Sequence, residues 1–159
     1  PGDVAHGVGG QLMLMNLVLG LALMVFCLFV QALLMAVAVQ FYGRHLNLAG
    51  SPSFFQTVMV TAGVMLVLVL GNFLQISIWA YLFLHLGEFQ LYIDAVYHSA
   101  VNFATLGYGD IVMTPKHRIL GPMESVNGVL MIGVTTAVMM SVLQDALKRT
   151  RDARKARRG

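Results

Sequence analysis

Thr105-Leu106-Gly107-Tyr108-Gly109-Asp110 is the stretch on which the reading of this chain turns. Two glycines flank a tyrosine, and the segment stands between two long apolar runs, residues 55–86 and 121–147. A glycine loop at membrane depth is normally forbidden, because each unpaired backbone group in lipid costs several kcal/mol. It is tolerated where the loop is buried in protein or lines a water-filled path. Just ahead of it, Gln90 to Ala104 is semi-polar, with Asp94, Tyr97, His98, Ser99 and Asn102 among apolar residues. As a helix, this stretch covers about 22 Å, short of a full crossing. A short helix, a glycine loop and a returning helix together make a re-entrant segment.

The rest of the chain supplies the membrane spans. Of 159 residues, 58% are hydrophobic and 11% charged, against about 25% charged in a water-soluble domain. No Lys, Arg, Asp or Glu occurs from Val4 to Gly43, from His45 to Gly87, or from Ser125 to Gln144. A crossing helix needs about 17–25 mostly apolar residues, so each gap holds one. The pattern predicts spans over residues 11–39, 55–86 and 121–147. A polar break at 40–53 closes in the turn signal Ser51-Pro52-Ser53, and Gly121-Pro122 opens the last span. The expected fold is all-α: three transmembrane helices plus a re-entrant helix and loop.

Charge sets an expected orientation. Residues 145–159 carry seven basic and two acidic side chains, while the preceding residues carry three and five. A basic cluster beside a span marks the cytoplasmic side. That puts the C-terminus and the Arg44 loop inside, and the N-terminus and the segment 88–122 outside, with Lys116 and Arg118 against the rule. The basic tail also suits anionic lipid headgroups, and no nucleic-acid partner is expected. Cys27 has no second cysteine to pair with. The five histidines lack metal-ligand spacing. No Ser-His-Asp set, phosphate-binding loop or paired catalytic carboxylates occur. Neither enzyme activity nor a cofactor is expected.

Residues 105–110 resemble the signature of potassium channels, Thr-Val-Gly-Tyr-Gly-Asp, with five of six residues matched and Leu106 in place of Val. The resemblance implies that K⁺, the permeant ion, is held by the backbone carbonyls of Thr105, Leu106, Gly107 and Tyr108 and by the Thr105 hydroxyl, in place of water. Gly107 and Gly109 permit the φ angles that such an extended run needs. Tyr108 would face away from the pore and brace the filter. The resemblance covers about residues 56–147, the two-helix pore module of bacterial potassium channels. It implies an outer helix, a pore helix at 90–104 and an inner helix, with the first span an addition. The expected division is residues 1–54 for the peripheral span and loop, 55–147 for the pore module and 148–159 for the basic tail. One filter segment per chain implies a homotetramer closed around one axis, in a bacterial inner membrane. Departures from the family pattern are Tyr97-His98 for an aromatic pair, Val101 where some members carry Glu, and Ala104 for a threonine.

Other positions carry paired readings. Asp110 would stand at the outer mouth and hydrogen-bond behind the filter. Glu124 and Asn127 lie three apart on one helix face: they support the filter, with Arg118 or the filter backbone as partner of the carboxyl, or Glu124 simply faces the surface. Gly133 is a gating hinge or a site of close helix packing. By the same resemblance, Val134, Ala137, Ser141 and Val142 would line the inner pore. Asp145 either stands at the inner mouth or pairs with Lys148 or Arg149 one turn on. Asn72 and Gln75 would bond between helices. His98 is a satisfied structural group or a pH sensor. No span carries a row of arginines, so voltage dependence should be weak. The function expected is potassium-selective conduction; the rivals are a weakly selective cation channel and a non-conducting modulatory subunit.

Overall fold

The computed structural model describes residues 2–47 and 54–156. Among them are four helices and no strand: α1 (Gly2–Asn47), α2 (Phe54–His85), α3 (Tyr92–Phe103) and α4 (Leu120–Ala156). Three are long and apolar enough to cross a membrane, over Gly10–His45, Phe55–His85 and Leu120–Asp152. With 46, 32 and 37 residues, α1, α2 and α4 reach about 69, 48 and 56 Å at 1.5 Å per residue. All exceed the roughly 30 Å of bilayer hydrocarbon, so each tilts or projects into the headgroups. In their most apolar windows only 17%, 33% and 28% is buried, which leaves most of that surface for lipid or neighbouring chains. The chain is an all-α membrane protein.

Two elements run further than the sequence pattern suggests. α1 continues through the polar residues after position 39 to Asn47, because Tyr42 is buried there in a packed core. The turn signal at residues 51–53 lies outside the described residues. α4 passes position 147 without a break and reaches Ala156. Lys, Arg and Ala are strong helix formers, and Arg149 Nε donates to Asp145 Oδ2 at 2.6 Å, one turn back.

Contacts divide the chain into two compact units. The first combines Pro1–Phe29 with Asn72–Met131. Its main core is Cys27, Trp79, Phe83, Met113 and Leu120, with Leu23, Met24 and Met123 against it. A second cluster joins Ile76, Phe103 and Met131. α1 approaches closely at Gly20, where an added Cβ would fall 2.6 Å from the Met123 sulfur. The second unit combines Val30–Gly71 with Ile132–Gly159. Ala38, Tyr42, Val60, Val64, Leu68 and Val142 form its core, drawn from α1, α2 and α4 at the i, i+4 spacing of one helix face.

Two helix ends in the first unit close in the same way. α2 stops in a Schellman motif: Glu88 N–H donates to Phe83 O at 3.1 Å and Gly87 N–H to Leu84 O at 3.0 Å, with Gly87 left-handed at φ +74°. α3 repeats the motif, with Leu106 N–H on Val101 O at 2.9 Å and Thr105 N–H on Asn102 O at 2.8 Å. There the left-handed position is Thr105, at φ +58°.

Candidate functional site

The 12 residues of α3 extend about 18 Å, half a crossing, and deliver the chain into residues 104–110. In that stretch the backbone alternates. Thr105, Gly107 and Gly109 have φ of +58°, +59° and +72°, while Leu106 and Tyr108 between them do not. An ordinary strand points successive carbonyls to opposite sides. Inverting the hand at every second residue turns alternate peptide planes over, so that carbonyls gather on one side and N–H groups on the other. Among the described residues, no hydrogen bond ends on a carbonyl oxygen of 105–109. Every residue from Ala104 to Asp110 is exposed in the single chain, Leu106 by 53% and Tyr108 by 66%. Chemically, this is a row of free oxygen ligands suited to a hard, dehydrated cation. Among the described residues no cluster of three or more His, Cys, Asp or Glu could hold a metal.

Side chains of α3 anchor the strand beyond the loop. Tyr97 Oη donates to Asp110 Oδ2 at 2.7 Å, and Ile111 N–H donates to Asp110 Oδ1 at 3.1 Å. The Tyr97 hydrogen bond holds the Asp110 carboxyl below its ordinary range, and Tyr97 is pushed up in return. His98 Nδ1 lies 2.9 Å from Ile111 O, and its Nε2 lies 2.9 Å from Asn102 Nδ2. Because an amide nitrogen only donates, Nε2 accepts and the ring proton sits on Nδ1. This is neutral histidine, and burial between Phe83 and Phe89 lowers its pKa accordingly.

Behind α3 lies a buried polar layer. Glu124 is fully buried and bonds to Ser99 Oγ and, at 3.3 Å, to Asn102 Nδ2. Ser99 also reaches Ile76 O at 2.8 Å. Ser125 Oγ donates to Asn102 O at 2.9 Å, and Asn127 Nδ2 to Gln75 Oε1 at 3.4 Å. α4 meets the end of α3 at Gly128, where an added Cβ would stand 2.0 Å from Phe103 O. The loop that leads into α4 has its own anchor. Glu88 accepts from Thr114 N–H and Thr114 Oγ1, each at 2.7 Å, and lies 2.5 Å from His117 Nδ1. Burial would raise Glu88, but the Thr114 donors and His117 together hold it below the usual carboxylate range. The first helix joins the same loop, Asn16 Nδ2 donating to Lys116 O at 2.7 Å.

The sequence-derived residues therefore fall into groups. Thr105 to Gly109 form the alternating stretch, with Asp110 tied to Tyr97. Glu124 and Asn127 are buried beside α3, but Glu124 bonds to Ser99 and Asn102 and not to Arg118, which is exposed. Gly133, Val134, Ala137 and Ser141 share an exposed face of α4, whereas Val142 is buried in the second core. Asp145 takes Arg149 and also Tyr42 Oη at 3.0 Å. Sequence reasoning missed Ser99, the Glu88–Thr114–His117 anchor and Tyr42, since each pairing joins residues at least 25 positions apart.

Three membrane-length helices, with a half-length helix and an open carbonyl-bearing loop between the last two, define a pore-type membrane protein. A family model described as ion channel matches residues 54–145, more than half of the chain, and the chain belongs to that ion channel family. No curated protein and no solved structure matches it.

Proposed function

We propose that four copies of this chain assemble around one axis and conduct K⁺ passively, with the carbonyls of Thr105, Leu106, Gly107 and Tyr108 replacing the ion's hydration shell. The observation that carries the reading is the alternation of hand at 105, 107 and 109, together with carbonyls that no group among the described residues satisfies. Unpaired backbone in a membrane is costly, and one strand offers an ion only one side of a cage. A closed ring of identical strands meets both needs. Asp110, Glu124 and Asn127 support the filter, Gly133 is the hinge, and the exposed face of Val134, Ala137 and Ser141 lines the inner pore. Asp145, engaged by Tyr42 and Arg149, flanks the inner mouth. The basic tail faces the cytoplasm of a bacterial plasma membrane and meets anionic lipid, with the N-terminus outside. No cofactor takes part.

Purified chain in liposomes tests this directly. K⁺ flux, a mixed K⁺/Na⁺ reversal potential near the K⁺ limit, a tetrameric mass, and loss of flux in Gly107→Asp are the expected results. A reversal potential near zero would replace the reading with a weakly selective cation channel. Silent but well-folded tetramers would replace it with a modulatory subunit.

A further inference from the structure

The second unit gives the first helix a defined task. There, α4 buries one stripe, Thr135, Val142 and Ala146, with Val138 and Met139 partly covered. It leaves Gly133, Val134, Ala137, Ser141 and Gln144 exposed on the opposite side. The buried stripe meets α1 through two polar contacts. Gln31 Nε2 donates to Thr135 Oγ1 at 2.9 Å, and Tyr42 Oη donates to Asp145 Oδ2 at 3.0 Å. These contacts are separated by 11 residues on α1 and 10 on α4, about 16 Å on each helix. The two helices therefore run parallel and in register. Polar side chains within a span are costly unless partnered, so the two contacts fix that register more sharply than apolar packing does.

Tyr42 is built to act at a distance. The residue is 7% exposed, in one core with Ala38, Val60 and Val64, and its hydroxyl reaches Asp145, whose side chain is 40% exposed. Asp145 is the last residue of the family match, and Tyr42 lies before its first. The contact thus joins the pore module to a helix that is no part of it.

We propose that α1 is a clamp on the C-terminal half of α4, with Tyr42 the positioning residue that holds Asp145 and Gln31–Thr135 its second point. Any movement of this half of α4 away from α1 must break a charge-assisted hydrogen bond. The conformations of α4 are biased by that difference in contact, and whatever displaces α1 is felt by α4. The proposal rests on the channel reading for its electrical consequence but not for its structural one.

The test uses the full chain in proteoliposomes, as wild type, Tyr42→Phe, Asp145→Asn and the double variant. Losing one hydrogen bond to a charged group shifts a two-state equilibrium by about tenfold. Tyr42→Phe keeps the buried ring, so folding is preserved. Both single variants should change the open-to-closed ratio in the same direction, Tyr42→Phe by about tenfold, and the double variant should lie within about twofold of the larger single effect. Unchanged ratios, or effects that multiply in the double variant, overturn the clamp. Hydrogen–deuterium exchange decides it without current: Tyr42→Phe should speed exchange in residues 138–149 and leave 92–113 unaltered. Equal exchange at 138–149 overturns the clamp even in silent protein, whereas absent wild-type K⁺ flux alone counts only against the channel reading.

Discussion

Gly128→Ala is the sharpest test of how the loop at 104–110 is held. The Cβ it introduces would sit 2.0 Å from Phe103 O, 2.8 Å from its carbonyl carbon and 2.9 Å from its Cα, whereas real Cβ contacts do not fall below 3.0 Å. All three neighbours are backbone, so no side chain can swing aside. α3 and α4 must separate by about 1 Å, the difference between those two distances, and overpacking of this kind costs roughly 1–3 kcal/mol or more. The displaced carbonyl belongs to the turn that sets Thr105 and Leu106, so the strain passes straight into the loop. Gly133→Ala is the internal control, on the same helix and with nothing within 4 Å of the new atom. It should gain up to about 1 kcal/mol from helix propensity, whatever it does to gating. Heating each variant and following loss of the folded protein on a sizing column gives the stability order, and K⁺ flux gives the effect on the loop. The expected order is Gly133→Ala at or above wild type, with Gly128→Ala well below and poorly conducting. Equal melting of the two variants would refute the close contact of α3 and α4.

The polar layer yields two more expected outcomes. His98 is held neutral by burial, with a lowered pKa, so the native state binds fewer protons than an unfolded chain titrating near 6.5. Stability is complete above about pH 6.5 and falls as pH drops below it; the melting temperature should decline from pH 6.5 to 5, and the decline should shrink in His98→Gln. A wild-type profile that is flat over that range contradicts the assignment. At Glu124, Gln can accept from Asn102 and donate to Ser99, whereas Ala orphans both at about 1–3 kcal/mol each. Glu124→Gln should therefore keep flux and melting close to wild type and Glu124→Ala should lose both, which the same heating series measures.

What could be read from the sequence was what a local pattern specifies. The three charge gaps marked the spans, and Gly107 and Gly109 marked two of the loop's three left-handed positions, because glycine is the residue that takes that conformation without strain. Thr105 carried no such sign. Its φ of +58° arises from two hydrogen bonds back to α3, formed only once the helix has ended where it does. Glu124 was identifiable as a costly group needing a partner, yet nothing local separated Arg118 from Ser99, 25 residues away. The extra length of α1 was hidden for a similar reason. Gln40, Arg44 and His45 look like a loop until Tyr42 is seen buried against α2 and α4.

The two Schellman endings show what the loop at 104–110 demands of its own chain. At the end of α2 the left-handed residue is Gly87, and the turn is free of side-chain strain. At the end of α3 the same geometry is imposed on a threonine, at about 1–2 kcal/mol. A β-branched residue held there is over-determined by its surroundings, and the hydrogen bonds that hold it run to α3. Val101 and Asn102 carbonyls fix the entry to the loop, while Tyr97 and His98, one turn earlier, fix its exit through Asp110 and Ile111. A single helix of 12 residues thus grips both ends of the stretch. Between those grips, Gly107 has no atom within 4 Å of where its side chain would be, and Gly109 has only the Gly107 oxygen. The middle of the loop is thus shaped by little of the described chain, and in the assembly proposed above the neighbouring strands and the ion would supply what is missing.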